Sequence, residues 1–140
     1  MQSIKVGLIG FGTVGRGTWN VLRRNQQEIT RRAGRGIEIA AIAERSAEAA
    51  RAAVAGEAPV YADAAQLLAR DDIDIVIELI GGYEPARSLV LAAIERGKHV
   101  VTANKALLAR HGNEIFEAAR GRGVMVAFEA AVAGGIPIIK

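Results

Sequence analysis

A doubly wound, mostly parallel α/β sheet is the fold that this sequence predicts, and three observations predict it. Short apolar segments alternate with helical segments along the whole chain. A glycine-rich turn, Gly10 to Gly15, stands between the first apolar segment and the first helical one. Hydrophobic residues make up 51% of the chain, aromatics only 4%, and 16 positions are glycine. That mix suits small-residue packing of helices on a sheet with tight turns. The length, 140 residues, fits one domain around one core.

The elements follow in order. Ile4 to Ile9 is apolar except at Lys5 and Gly7, as in a parallel strand covered on both faces. After the glycine turn, a long helix is expected to about Arg32, with Val14, Thr18, Val21, Leu22 and Ile29 near one face. Gly34 and Gly36 end it. Ile37 to Ala43 is the second strand, and Ser46 can cap a helix through about Ala55. Pro59 to Tyr61 is a short third strand, and Asp63 caps a helix carrying Leu67 and Leu68. Asp74 to Ile80 holds the fourth strand, Gly81-Gly82 opens a loop, and Pro85 sits near the first turn of the next helix, where a missing N–H costs nothing. Gly97 closes that helix, and Lys98 to Thr102 is the fifth strand. A short helix starts at Asn104, another spans Asn113 to Ala119, and Val124 to Phe128 is the sixth strand.

Composition excludes several classes. The net charge is only +3, from 18 basic and 15 acidic side chains. The densest basic stretch, Arg23 to Arg35, reads as the solvated side and end of a helix, so no nucleic-acid partner is expected. With no cysteine, disulfides, thiolate catalysis and cysteine metal sites are excluded. No apolar run approaches the roughly 20 residues of a membrane span. Met1 to Lys5 runs straight into a strand without a signal-peptide pattern, which makes the cytoplasm the default location. The last five residues, Ile136 to Lys140, are apolar where a domain end is normally polar, and they read as the start of a following domain after a nucleotide domain spanning 1–135.

Gly10-Phe11-Gly12-Thr13-Val14-Gly15 is a G-x-G-x-x-G between a strand and a helix, the context that gives the motif its meaning. Gly10 permits the tight turn, Gly12 removes a side chain where a pyrophosphate must approach, and Gly15 lets helix and strand pack closely. The unpaired N–H groups at the helix start then hold phosphates. A Rossmann-like dinucleotide domain follows, with NADP or NAD as its cofactor. The second strand ends in Glu44-Arg45. A carboxylate there accepts from the ribose hydroxyls of NAD, whereas an arginine pairs with the 2′-phosphate of NADP. Both are present, so the choice between the two stays open.

The second half is more distinctive. Glu78-Leu79-Ile80-Gly81-Gly82 ends the fourth strand. Thr102-Ala103-Asn104-Lys105 leaves the fifth. Phe128-Glu129-Ala130-Ala131-Val132-Ala133-Gly134-Gly135-Ile136-Pro137 follows the sixth. Together with the glycine loop, these segments resemble homoserine dehydrogenase over essentially the whole chain. The resemblance implies NAD(P)-dependent interconversion of L-homoserine and L-aspartate 4-semialdehyde, in the synthesis of threonine, methionine and isoleucine. It also implies a homo-oligomer formed through a second, substrate-binding domain, without which this chain binds cofactor and does not turn over. The stretch Glu44-Arg45-Ser46 departs from the usual family form, which has arginine first.

Lys105 is the expected catalytic residue. It leaves the carboxyl end of a strand, where open α/β sheets place ligands. Hydride transfer to an aldehyde develops an alkoxide that a lysine ammonium can stabilise and protonate. By resemblance Lys105 takes this role or contacts the cofactor, beside a second lysine from the following domain. Thr102, Ala103 and Asn104 line the nicotinamide side by the same resemblance, and Asn104 also reads as a helix cap. Gly81 lets the backbone pass close to the ligand, and Glu78 is expected either to support the site from behind or to sit in the cofactor loop, rather than to act in direct catalysis. Glu129, Val132, Gly134 and Ile136 match a monovalent cation site of the family, such as one for sodium. The other reading of Glu129 is a fixed turn between domains. His99 reads as a structural histidine, His111 as a helix-end residue and Trp19 as helix packing. Two rivals remain. Oxidoreductases of the glucose–fructose type share the fold but continue with Glu-Lys-Pro after the fifth strand, where this chain has Thr102-Ala103-Asn104-Lys105. The other is an NAD(P)-sensing module without chemistry.

Overall fold

The structure, a computed structural model, describes residues 2–128. Six strands and six helices are β1 (Ile4–Ile9), α1 (Thr13–Arg24), α2 (Gln26–Ala33), β2 (Ile37–Ala43), α3 (Ala47–Val54), β3 (Val60–Tyr61), α4 (Ala64–Leu68), β4 (Ile75–Glu78), α5 (Ala86–Glu95), β5 (His99–Thr102), α6 (Lys105–Arg122) and β6 (Val126–Phe128). The strands form one sheet in the order β3-β2-β1-β4-β5-β6, and each neighbouring pair is parallel. This is the predicted doubly wound, Rossmann-like sheet, whose order reverses direction between β1 and β4.

Strand alternation explains why both faces carry helices. Val6 and Leu8 of β1 pack into a cluster with Trp19 of α1 and Ala47, Ala50 and Val54 of α3. Ile9 belongs to the other cluster, with Leu67 of α4, Val90 and Ile94 of α5 and Leu107 and Ile115 of α6. Residues one apart on a strand point to opposite faces, so a strand that is apolar throughout fills both. The register then aligns the carboxyl ends: Ile9 lies opposite Ala43 and Glu78, Glu78 opposite Thr102, and Thr102 opposite Phe128. Everything that leaves these strands starts from one rim.

Several boundaries differ from the sequence reading. The long first helix is two, broken at Asn25 (φ −109°, ψ 28°). The Asn25 amide Nδ2 donates to the Val21 carbonyl, and Gln26 Nε2 donates to the Leu22 and Ile37 carbonyls. Side chains thus take carbonyls of the last turn and tie the break to β2. The two short helices expected after β5 follow one another within α6, separated at His111, whose backbone (φ −124°, ψ 15°) is not helical. Ser46 stands at the N-cap of α3, but its side chain makes no cap bond. Asp74 lies before β4, where its carboxylate accepts from the Lys5 N–H. Lys98 lies before β5, buried, with its ammonium donating to the carbonyls of Arg70 (2.5 Å) and Ile73 (3.2 Å). His99 is structural as expected: its Nδ1 accepts from the Met125 N–H at 3.0 Å. Trp19 is buried in the core.

Candidate functional site

The glycine loop has the geometry its spacing demands. Gly10 has φ +106°, a backbone region that side chains rarely adopt. A Cβ at Gly15 would overlap the Gly10 carbonyl oxygen, so only glycine lets α1 start this close to the turn. A Cβ at Gly12 would meet nothing within 4 Å, which leaves open space beside the backbone. The first bond of α1 runs from the Arg16 N–H to the Gly12 carbonyl, no side chain caps the helix, and its first turn holds no acidic residue. The N–H groups of Gly12 to Gly15 have no partner among the described residues and stand at the positive end of the helix dipole beside that space. Thr13 and Val14 are exposed there, and Phe11 is buried beneath with the Arg16 guanidinium 5.4 Å from its ring centre. A pyrophosphate fits this cradle.

Glu44 and Arg45 leave β2 on the same rim but face different tasks. The Glu44 carboxylate accepts from the Phe11 N–H at 2.7 Å and from the Ser46 N–H at 3.0 Å. It ties the glycine loop to the end of β2. Arg45 is exposed and makes no ion pair or hydrogen bond among the described residues. Both line a cleft of about 490 Å³ at the carboxyl ends of the strands, together with Ile9, Asp63, Ile80 and Gly81. Glu84 stands at its wall, where the Ser88 hydroxyl and then Arg87 hold the carboxyl below the usual range.

Between β4 and β5 a second cluster forms. Glu78 is 1% exposed. Its carboxylate accepts from the Ile80 N–H (3.0 Å), the Gly81 N–H (2.9 Å) and the Thr102 hydroxyl (2.5 Å). Thr102 Oγ1 accepts in turn from the Asn104 N–H at 3.0 Å. Asn104 is the expected cap: its Oδ1 accepts from the Leu107 N–H at 3.0 Å, and its Nδ2 donates to the Gly82 carbonyl at 2.7 Å. Lys105 is the first residue of α6 and is exposed, and its N–H donates to the Ala103 carbonyl. Thr102, Ala103, Asn104, Lys105 and Gly81 are thus one structural unit. Sequence alone assigns Glu78 a supporting place without its partners, and Glu78 is the hub of this unit; the signal was a carboxylate ending an otherwise apolar strand, three positions before two glycines.

Lys105 and Thr102 do not line the cleft shared by Arg45 and Gly81. A second hollow of about 420 Å³ lies at the opposite rim, lined by residues such as Arg35, Asp71, Lys98 and His99, and it holds none of the predicted site residues. The proposed cation ligands Glu129, Val132, Gly134 and Ile136, and the domain boundary at 135–136, lie outside the described residues. Among the described residues no cluster of three or more His, Asp or Glu could hold a metal ion, and no helix is long and apolar enough to cross a membrane.

Comparison with known proteins matches this geometry to one family. The family model described as homoserine dehydrogenase, NAD binding domain, matches residues 10–129. Homoserine dehydrogenase of Pseudomonas aeruginosa is 61% identical over 140 residues, covering 100% of this chain and 32% of that protein. That of Neisseria gonorrhoeae is 54% identical with the same coverage. The crystal structure of a homoserine dehydrogenase from Thiobacillus denitrificans superposes with a TM-score of 0.89 at 58% identity, over 99% of this chain and 32% of that one. The chain therefore spans about a third of the length of these relatives. The glucose–fructose oxidoreductase reading is set aside by these matches, and the chain belongs to the homoserine dehydrogenase family, whose NAD-binding domain it constitutes.

Proposed function

We propose that this chain is the coenzyme-binding part of an NAD(P)-dependent enzyme that interconverts L-homoserine and L-aspartate 4-semialdehyde. One observation carries the reading: the parallel register brings the glycine loop, the Glu44-Arg45 pair and the start of α6 with Lys105 to a single rim of the sheet. Ligands of open α/β sheets bind at that rim, beside the strand-order reversal.

The dinucleotide, when bound, supplies hydride exchange with the substrate carbon. The chain's own residues do the rest. The open N–H groups before Arg16 hold the pyrophosphate, and Gly12 leaves room for it. Glu44 has one contact to a backbone N–H from each oxygen and serves to shape the loop. Arg45 is the uncommitted charge at the cleft and pairs with a 2′-phosphate, which favours NADP(H). Lys105 holds a proton at the substrate oxygen: its ammonium stabilises the alkoxide formed on reduction, and its amine accepts the hydroxyl proton on oxidation. We assign the remaining substrate contacts, the second lysine and the contacts between subunits to the two thirds of sequence that the longer relatives carry in addition.

Two measurements test the reading. Calorimetric titration with NADPH and then NADH should give tighter binding of NADPH; tighter NADH would return the reading role to Glu44. The full-length protein should reduce aspartate semialdehyde with NADPH. Tight coenzyme binding without that turnover would favour the sensing module instead.

A further inference from the structure

Glu78 is the one buried carboxylate among the described residues, and no ion pair involves it. Placing a carboxylate in a core without a cation is costly, and a neutral side chain would close the same turn at a smaller desolvation penalty. The hydrogen bonds explain what the charge is for. Three donors converge on the carboxylate, two from the loop after β4 and one from Thr102 at the end of β5. An ionised carboxylate only accepts. It therefore forces the Thr102 hydroxyl to donate, which leaves the Thr102 oxygen to accept from the Asn104 N–H. Asn104 then bonds to both sides: its amide reaches the Gly82 carbonyl, and its carbonyl caps α6 one residue before Lys105. The polarity of the whole chain of bonds is set at Glu78.

We propose that Glu78 is a positioning residue for catalysis, acting through Thr102 and Asn104 to fix where α6 begins and so where Lys105 stands. The proposal rests on the reading above, in which Lys105 manages the substrate proton. A glutamine at position 78 keeps an oxygen for the Ile80 and Gly81 N–H groups but turns an NH2 donor toward Thr102, whose hydroxyl then loses its acceptor. Valine at position 102 has the shape of threonine, suits a strand end, and removes the middle link.

The test is steady-state kinetics on the full-length enzyme for Glu78→Gln, Thr102→Val and the double variant, with binding of 2′,5′-ADP as the reference for the adenosine half of the site. Misplacing a catalytic group by about 1 Å can cost roughly 100-fold. Both single variants should therefore lose about 10- to 100-fold in kcat, with 2′,5′-ADP affinity within about twofold of wild type. The double variant should be no slower than the slower single, because both cut one relay. Unchanged kcat in an active background would overturn the proposal alone, as would losses that multiply in the double variant. A parallel fall in 2′,5′-ADP affinity would mean general loosening and would also overturn it. If Glu78→Gln fails to fold, Thr102→Val decides. A wild-type enzyme with no homoserine turnover would overturn the underlying reading, and this proposal with it.

Discussion

Gly12 and Gly15 stand three positions apart and meet opposite surroundings. The Gly15 Cα faces the Gly10 carbonyl, so Gly15→Ala must push α1 away from the turn. Overpacking of this kind costs about 1–3 kcal/mol, to be read as a lower urea midpoint with an unchanged slope. Gly12 has an ordinary φ of −79° and open space beside it. Gly12→Ala should leave stability within about 0.5 kcal/mol, yet weaken NADPH at least about tenfold, because the methyl takes the space of the pyrophosphate. A Gly12→Ala variant with full NADPH affinity would argue against the phosphate cradle. Arg45→Ala should weaken NADPH by about 10- to 100-fold, the equivalent of one charge-assisted contact, and leave NADH unchanged in the same titration. The glycine roles were legible in the sequence because backbone sterics alone dictate them. The bond from the glycine loop to Glu44 was not. Its carboxylate turns toward Phe11, 33 positions earlier, and only the folded loop brings that N–H within reach.

Helix starts and strand starts carry the next set of consequences. Asn104 caps α6 with one end of its amide and holds Gly82 with the other. Asn104→Ala should therefore cost more than the roughly 1 kcal/mol of a lost cap, since the Gly82 carbonyl also loses its partner. Asn104→Ser, which can still cap, should recover only the first part in a urea titration. At the start of β5, burial holds the Lys98 ammonium below the ordinary lysine value of 10.5, against the opposing pull of Asp71 and other nearby carboxylates. Between the lowered folded value and 10.5 the unfolded chain binds more protons, so this group makes stability rise with pH in that window. Lys98→Met should flatten that rise in denaturation curves taken up to about pH 10; an unchanged slope would place the proton uptake elsewhere. Element identity was legible from apolar runs and glycine punctuation. The break at Asn25 was not, because Val21, Leu22 and Ile29 keep helical spacing straight through it. What breaks the helix is a pair of side-chain amides competing for carbonyls, one of them reaching across to β2. The interruption of α6 was legible: His111 reads as a helix-end residue, and its backbone leaves the helical region there.

In the whole molecule the binding and chemical parts of the rim separate. The cradle belongs to the turn between β1 and α1, Glu44 and Arg45 follow β2, and the cleft they line is closed by Asp63 after β3 and by Ile80 and Gly81 after β4. Lys105 stands on the other side of β4, exposed at the start of α6. Relatives about three times as long carry further sequence that this chain does not include. Coenzyme binding and turnover should therefore come apart in the 140-residue chain. NADPH at a hundredfold excess over Kd should stabilise it by about 2.7 kcal/mol, seen as a rise of several degrees in Tm, since a domain of this size gains roughly 3–6 °C per kcal/mol. Addition of aspartate semialdehyde should then leave the NADPH absorbance unchanged over hours, while the full-length protein consumes it. Oxidation of NADPH by the short chain would mean that the rim around Lys105 binds substrate unaided, and the division of labour argued from the sheet would fall. Absence of a thermal shift would instead strike at the cradle, because that part needs nothing beyond the strands and helix starts already in place.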